Sequence, residues 1–179
     1  MKKKLTIIGP AIVAVALITA AQGVIAAEKQ AKSSDSKGNL SAADRKFAEN
    51  AAKGGMMEVS MGKMAAQKGQ SSEVKQFGSR MVSDHSKANN ELKSIASKKG
   101  ITLSAEAPSH SFNSDADYMS MMVKDHEKDL AEFQQEAKSG SDPDLKQFAG
   151  KTSKIIASHL SEARRINKDL KGGKSNLTR

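Results

Sequence analysis

The sequence predicts an all-α protein, a four-helix bundle with a long crossover loop between its second and third helices. In four segments the apolar residues recur at steps of three and four, which places them on one face of a helix. No window of the sequence alternates apolar and polar residues in the period of two that is typical of β-strands. Each segment also begins and ends with residues that favour helix ends, so four separate helices are expected.

The helix ends follow from capping residues, glycines and one proline. Serine or aspartate precedes each segment, and its side chain can accept backbone N–H groups that the first turn leaves unpaired. Basic residues followed by glycine close the second segment, and proline stands in the first turn of the fourth, where its missing N–H is tolerated. The helices are therefore predicted to begin at residue 41, at 71 or 72, at 114 or 115 and at 142–144, and to end at about residues 68, 98–100, 139 and 170.

Four ionisable residues lie on the apolar faces and favour the crossover. They are Glu58, His85, His126 and His159, one on each helix. If the loop over residues 100–114 crosses the bundle, all four lie about 15 to 20 Å below the turn between the first two helices, at about 1.5 Å per residue. A simple up-and-down bundle spreads them from about 15 to 24 Å. The extended loop reaches about 47 Å and helix 2 is about 40 Å long, so the crossover is feasible.

The N-terminus has the three parts of a secretory signal peptide. Lysines follow Met1, an apolar run covers residues 5–21, and small residues end at Ala26 and Ala27. We expect cleavage after Ala26 or Ala27 and a periplasmic protein; an uncleaved segment that anchors the domain to the membrane is the alternative. The predicted organisation is a signal peptide (1–26), a flexible linker (27–40), a four-helix domain (41–170) and a disordered tail (171–179).

Composition excludes several classes of function. The chain has no cysteine, which excludes disulfides, thiol catalysis and lipoprotein-type acylation. Removing the three lysines of the signal peptide from the net charge of +9 leaves +6, with acidic residues interleaved. Export and the scarcity of aromatic side chains argue against a nucleic-acid partner. An anionic envelope surface fits the charge better, and a dispersed, solvated charge without any partner is the interpretation that we favour. Protein partners and the oligomeric state stay open.

The ionisable layer has two interpretations. Glu58, His85, His126 and His159 suit a mononuclear site for Zn, Fe, Mn or Cu, since imidazole and carboxylate bind these metals. The alternative, which we favour from the sequence, is a hydrogen-bonded polar layer that fixes the register of the helices. Asp84 adjoins His85 but is expected to point away from the apolar face.

Other residues suggest no catalytic site. Met57, Met61 and Met64 share one helix face, and thioethers beside imidazoles suit Cu(I), but methionines that fill gaps in the core are the expected interpretation. His110 lies in the loop and is expected to be solvated. The sequence contains no nucleophile motif and no phosphate-binding glycine loop, so we do not expect an enzyme.

Three segments resemble the exported bacterial domain-of-unknown-function 4142 family, which is placed among ferritin-like crossover bundles. They cover residues 47–103, 117–137 and 145–160, and contain MVSDH, MVKDH and a later ASHL. The resemblance implies the fold and export but no common activity. Ferritin-like di-iron sites need Glu-x-x-His on two helices. Val82, Val123 and Ile156 stand at the glutamate positions, so a di-iron site is not expected.

The sequence thus favours an exported, non-enzymatic four-helix protein of the envelope. An association with stress is suggested only by analogy with ferritin-like proteins. The second hypothesis is a protein that binds or buffers a metal through the His/Glu layer, with or without methionine. An enzyme built on such a metal has the least support.

Overall fold

The computed structural model describes residues 40–103 and 109–173 and has four α-helices in that part of the chain. They are α1 (Ala42–Lys68), α2 (Ser72–Lys98), α3 (Asp115–Ser139) and α4 (Pro143–Gly173). The all-α prediction is confirmed, and α1 to α3 begin and end within a residue of their predicted bounds. The predicted signal peptide, residues 27–39 of the predicted linker and residues 174–179 of the predicted tail lie outside the described residues.

The end of α4 differs from the prediction. The helix continues through Lys171 and Gly172 to Gly173, three residues beyond Leu170. Glycine weakens a helix by about 1 kcal/mol relative to alanine but does not break it as proline does. At an exposed last turn a pair of glycines was therefore too weak a stop signal.

Serine side chains and one glycine set the helix ends. Ser41, Ser71 and Ser114 each accept a backbone N–H from the first turn of the helix that follows, at 3.1 to 3.2 Å. After α2, Gly100 adopts a left-handed φ of 68°, which glycine reaches without steric cost. These are the caps that the sequence indicated.

Contacts at the two ends of the bundle establish the crossover. The carboxylate of Asp115 accepts the N–H groups of Gln70 and Ser71 at 3.0 and 2.7 Å, so α3 starts beside the turn between α1 and α2. At the opposite end Lys99 pairs with Asp142 at 2.6 Å, so α2 ends beside the start of α4. The connection from α2 to α3 therefore has its two ends at opposite ends of the bundle, and the predicted crossover is confirmed.

The helices form two antiparallel hairpins, α1–α2 and α3–α4, which pack against each other through α2 with α4 and, less extensively, α1 with α3. Two apolar clusters fill the interior. The upper cluster, toward the α1–α2 turn, includes Met61, Phe77, Met81, Tyr118, Met119, Met122 and Ile166. The lower cluster includes Phe47, Leu92, Phe133, Leu145, Phe148 and Ile156.

Helices α1 and α2 are in close contact at a pair of glycines. A Cβ atom added to Gly62 would lie 2.8 Å from the carbonyl oxygen of Gly78, and one added to Gly78 would lie 2.7 Å from that of Gly62. Both contacts are with backbone, which cannot rotate away as a side chain can. The two glycines therefore allow the helices of the first hairpin to touch.

The outer faces of the helices are charged. Ion pairs join α2 to α4 between Arg80 and Glu162 at 2.6 Å and between Glu73 and Arg165 at 2.9 Å. Ile155 is the large hydrophobic side chain with marked exposure in the described part of the chain. Over the same residues, none of the helices combines the length and the apolar character that crossing a bilayer requires.

A buried carboxyl group lies at the lower end of the bundle. Glu136, near the end of α3, is 7% exposed and faces Asp44, whose carboxylate also accepts the N–H of Ser141 at 2.9 Å. Burial and the neighbouring negative charge of Asp44 raise the pKa of Glu136 to about 7. Glu136 therefore holds its proton in the folded domain over a range of pH where an unfolded chain releases it.

This pKa predicts how Glu136→Gln changes stability. The protonated carboxyl contributes stability that is fully present below about pH 4.5 and is lost as the pH rises through about 7. Glutamine resembles the protonated form, so the variant should exceed the native domain in free energy of unfolding by on the order of 1 kcal/mol at about pH 8, and match it at about pH 4. Urea denaturation at both pH values measures this. Glu127→Gln, at an exposed position of α3, is the control, and equal effects of the two substitutions at pH 8 would contradict the prediction.

Candidate metal centre

The histidines on α2, α3 and α4 lie close together in a layer between the two apolar clusters. His85 is 5% exposed, and His126 and His159 are fully buried. The centroids of their rings are 5.3 to 5.7 Å apart. One ring nitrogen from each histidine lies within 4.8 Å of the others, a spacing at which the three can hold a metal ion. The steps of three and four in the sequence place each ring on the inward face of its helix.

Two of the rings are oriented by carboxylates. The Nδ1 atom of His85 lies 2.8 Å from Oε2 of Glu58 on α1, and the Nε2 atom of His159 lies 3.0 Å from Oδ2 of Asp84 on α2. An ionised carboxylate only accepts hydrogen bonds, so the hydrogen-bonded nitrogen carries the proton of the ring. In the neutral tautomer, Nε2 of His85 and Nδ1 of His159 are then left with free lone pairs.

The third ring is oriented by the backbone of its own helix. Nδ1 of His126 lies 2.9 Å from the carbonyl oxygen of Met122, one turn earlier in α3. A carbonyl oxygen only accepts, so Nδ1 carries the proton and Nε2 presents the lone pair. All three rings are thus fixed in both orientation and tautomer by an acceptor on one side.

Within residues 40–103 and 109–173, the opposite nitrogens of the same rings have no hydrogen-bond partner. Nε2 of His85, Nε2 of His126 and Nδ1 of His159 are all buried and unpaired. Leaving a buried polar group unsatisfied costs about 1–3 kcal/mol. Histidines that bind metals in proteins show the same arrangement, in which one nitrogen binds the ion and the other donates to a carboxylate or carbonyl.

Glu58 lies beside the rings rather than among the unpaired nitrogens. Its Oε2 accepts from His85, and its Oε1 is 3.4 Å from Nδ1 of His126, the nitrogen that donates to Met122. Both contacts are with the protonated sides of the rings. Glu58 as a fourth ligand stays a prediction, and this position favours a supporting role instead.

The negative charge of Glu58 and the positive charge of His85 stabilise each other inside the layer. Burial opposes the charge of Glu58, but its hydrogen bond with His85 and its attraction to the three histidines together hold the pKa of Glu58 below its ordinary value. For the same reason the pKa of His85 is raised despite burial. Burial lowers the pKa of His126, and lowers that of His159 to about 4. Near neutral pH two of the three rings are therefore neutral, as metal binding requires.

Asp84 is the site residue that sequence reasoning missed. It was expected to point away from the core because it precedes His85, yet it reaches His159 on α4. Arg80, one turn earlier in α2, lies 3.5 Å from the same carboxylate and also pairs with Glu162. The signal in the sequence was the spacing of four between Arg80 and Asp84, which places both on the same side of α2. In the structure this side faces α4.

The methionines pack in or against the upper apolar cluster. Met61, Met81, Met119 and Met122 are fully buried there, as expected of residues that fill the core, while Met57 and Met64 are partly buried and pack against it. His110 is exposed, with Nδ1 3.0 Å from the carbonyl oxygen of Ser109, so it lies apart from the buried layer.

The layer does not fit a di-iron pair. Such a site takes a glutamate from each of two helices and Glu-x-x-His from each of the other two. In the described residues the carboxylate buried between the rings is Glu58, and it is already paired with His85. Val82, Val123 and Ile156 occupy the positions three residues before the histidines. The arrangement is that of a single site with three nitrogen donors.

Comparisons with known proteins agree with the fold. One similar crystal structure is the conserved hypothetical protein Rv2844 from Mycobacterium tuberculosis, with a TM-score of 0.62 and 14% identity over 70% of this chain and 91% of that one. Another is a two-domain protein from Anabaena variabilis that contains DJ-1/ThiJ/PfpI-like and ferritin-like domains. It has a TM-score of 0.59 and 13% identity over 75% of this chain and 39% of that one. At these identities the likeness shows the fold alone.

The sequence comparisons identify a family without an activity. No curated protein sequence matches the chain. The family model described as "Domain of unknown function (DUF4142)" matches residues 29–166. The resemblance found in the sequence is thereby confirmed, and the chain belongs to the DUF4142 family.

Proposed function

We propose that this domain binds a single transition-metal ion through Nε2 of His85, Nε2 of His126 and Nδ1 of His159. It would act as an exported, non-enzymatic protein that holds or buffers the metal in the envelope. The observation that carries the proposal is the set of three buried ring nitrogens without partners, each on a ring whose other nitrogen is bonded to an acceptor.

Burial energetics favour this function over a purely structural polar layer. A layer that only fixes helix register would be expected to satisfy its buried nitrogens, and here three remain unpaired. At about 1–3 kcal/mol each, three unsatisfied groups are a large cost for a domain of ordinary stability. A bound ion would satisfy all three at once.

The donor set narrows the choice of metal. Three imidazoles suit Zn²⁺ and Cu²⁺, whereas Mn²⁺ prefers carboxylate, carbonyl and water oxygens. The thioethers of Met81 and Met122 belong to the apolar cluster, so Cu(I) has less support. We therefore expect Zn²⁺ and Cu²⁺ to bind in preference to Mn²⁺. Neither ion would need a thiol, which suits a chain without cysteine in an oxidising compartment.

The small space beside the layer supports holding a metal rather than turnover. The cavity lined by Glu58 and His85 has a volume of about 20 Å³. That volume is enough for about one water molecule. A three-histidine zinc site can keep a fourth position for water, but a cavity of this size leaves no room for a substrate.

Zn²⁺ titration and elemental analysis of the metal-free chain test the proposal. The native protein should bind one Zn²⁺ per chain, and the double variant His85→Ala/His126→Ala should bind none. His110→Ala removes an exposed histidine and should bind like the native protein. Should the double variant fail to fold, His159→Gln keeps the volume of the side chain and should still abolish tight binding. A native chain that takes up no Zn²⁺ or Cu²⁺ would show that the layer is structural.

A further inference from the structure

A cleft between α1 and α3 borders an inner cavity that is lined by Glu58 and His85 of the histidine layer. Its outer part has a volume of about 300 Å³ and is lined by Asn50, Gly54, Asp125, Asp129 and Glu132, with Lys53, Met57 and Lys128. Four of these residues, Asn50, Gly54, Asp129 and Glu132, also line the inner cavity that contains Glu58 and His85. The outer cleft and the inner cavity therefore adjoin, with these four residues as their common border.

Glu58 is the buried polar group at the inner end of this cleft. It is 2% exposed, lines the inner cavity, and its Oε1 atom has no hydrogen-bond partner. The outer cleft offers further carboxylates at Asp125, Asp129 and Glu132. Lys128 lies 3.7 Å from Glu132 and offsets part of its charge. Oxygen donors thus extend from the surface to the nitrogen site.

The α1–α2 side of the described bundle also has a cleft, of about 390 Å³, but that cleft shares only Asn89 with the inner cavity. Between α1 and α2, the side chain of Asn89 covers Gly55. Between α2 and α4, Arg80 bonds to both Glu162 and Ser158. Gly54 differs, because a Cβ added there meets its first neighbour, Asp129 Oδ2, only at 3.9 Å. The absence of a side chain at Gly54 keeps the α1–α3 side open.

We infer that the α1–α3 cleft is the route by which a divalent cation reaches the three histidines. Gly54 leaves the cleft unobstructed, and the carboxylates of Asp125, Asp129 and Glu132 attract the cation into it. The inference rests on the proposed function. A cation would exchange water for carboxylate oxygens in the cleft, enter the inner cavity beside Glu58, and pass the ring of His85 to reach the unpaired nitrogens on the other side of the rings. Carboxylates that line a cleft also raise the local concentration of cations and the rate of their association.

If the cleft is the route, blocking it should change the rates of Zn²⁺ uptake and release without changing the affinity for Zn²⁺. Leucine in place of Gly54 would project into the cleft toward Asp129, so Zn²⁺ uptake and release should both slow by at least about tenfold while Kd stays within about twofold. Gly150→Leu is the matched control, since Gly150 is a half-buried helical glycine whose added Cβ would lie 3.8 Å from Ala137. It should leave both rates unchanged. Stopped-flow mixing with a chromophoric Zn²⁺ indicator measures the rates.

A second variant tests the carboxylates independently of packing. Burial and the charge of Glu58 raise the pKa of Asp129 to about 7, so the test is made at about pH 8, where this carboxyl is ionised. There Asp129→Asn/Glu132→Gln should slow uptake several-fold and weaken its dependence on ionic strength, which a merely structural role would not alter. If native protein binds Zn²⁺ but both variants take it up at the native rate with native salt dependence, the route is wrong and the proposed function stands. If the native protein binds no Zn²⁺, the proposed function itself fails.

Discussion

Alanine in place of Gly78 should lower the free energy of unfolding by about 2 kcal/mol, because overpacking of about 3 kcal/mol exceeds a gain in helix propensity of about 1 kcal/mol. The added Cβ would lie 2.7 Å from the carbonyl oxygen of Gly62, 2.8 Å from the amide nitrogen of Ala66 and 2.9 Å from Cβ of Ala65. Two of these atoms belong to the backbone of α1. Relief therefore requires the whole helix to move away from α2.

Gly150→Ala is the matched control for this experiment. Its Cβ would meet Ala137 at 3.8 Å, an ordinary van der Waals contact, so only the helix propensity changes. This variant should gain up to about 1 kcal/mol. Urea denaturation of both variants against the native domain gives the two differences. A Gly78→Ala variant as stable as Gly150→Ala would contradict the close contact between α1 and α2.

Glu58→Gln should weaken Zn²⁺ binding by about 10- to 100-fold and leave the stoichiometry at one ion per chain. The amide oxygen of glutamine can still accept from Nδ1 of His85, so the ring keeps its orientation, but the negative charge that compensates the ion is lost. His85 should then hold its proton less tightly, since attraction to Glu58 is what raises its pKa. Metal binding by the variant should consequently release fewer protons than binding by the native protein.

Calorimetric titration in two buffers of different ionisation enthalpy measures both the affinity and the protons released. Glu91→Gln, at an exposed position of α2 that pairs with Lys151, is the control and should match the native chain. Complete loss of binding in Glu58→Gln would instead identify Glu58 as a ligand. The four-residue site predicted from the sequence would then be correct as first stated.

The helices could be predicted from the sequence because their signals are local. Ser41, Ser71 and Ser114 are caps that act within one turn, and each begins its helix in the structure as predicted. The crossover could be predicted because the depths of the polar residues depend only on residue counts and helical rise. The end of α4 could not, since Gly172 and Gly173 oppose a helix too weakly to decide its last turn.

The histidines could be predicted to face the interior, but their hydrogen bonds could not. The spacing of the apolar residues along α4 fixes the face on which His159 lies. Its contact with Asp84 depends instead on how α2 and α4 are oriented about their axes relative to each other. That orientation is set by packing between residues 75 positions apart in the chain. The tautomer of each ring, and hence the nitrogen left for a metal, follows from such contacts. Whether Glu58 binds the metal or supports His85 also depends on packing between helices, so the sequence alone does not decide it.

The crossover also has a consequence for when the histidine site can exist. The first hairpin contributes His85, and the second contributes His126 and His159. Asp84, which orients His159, belongs to the hairpin that does not contain it. The first hairpin alone holds one of the three donor histidines. The second hairpin alone holds two, but His159 then lacks the carboxylate of Asp84 that orients its ring. Three-nitrogen coordination therefore becomes available only after both halves of the chain have docked, and an ion held there would crosslink those halves without any covalent bond.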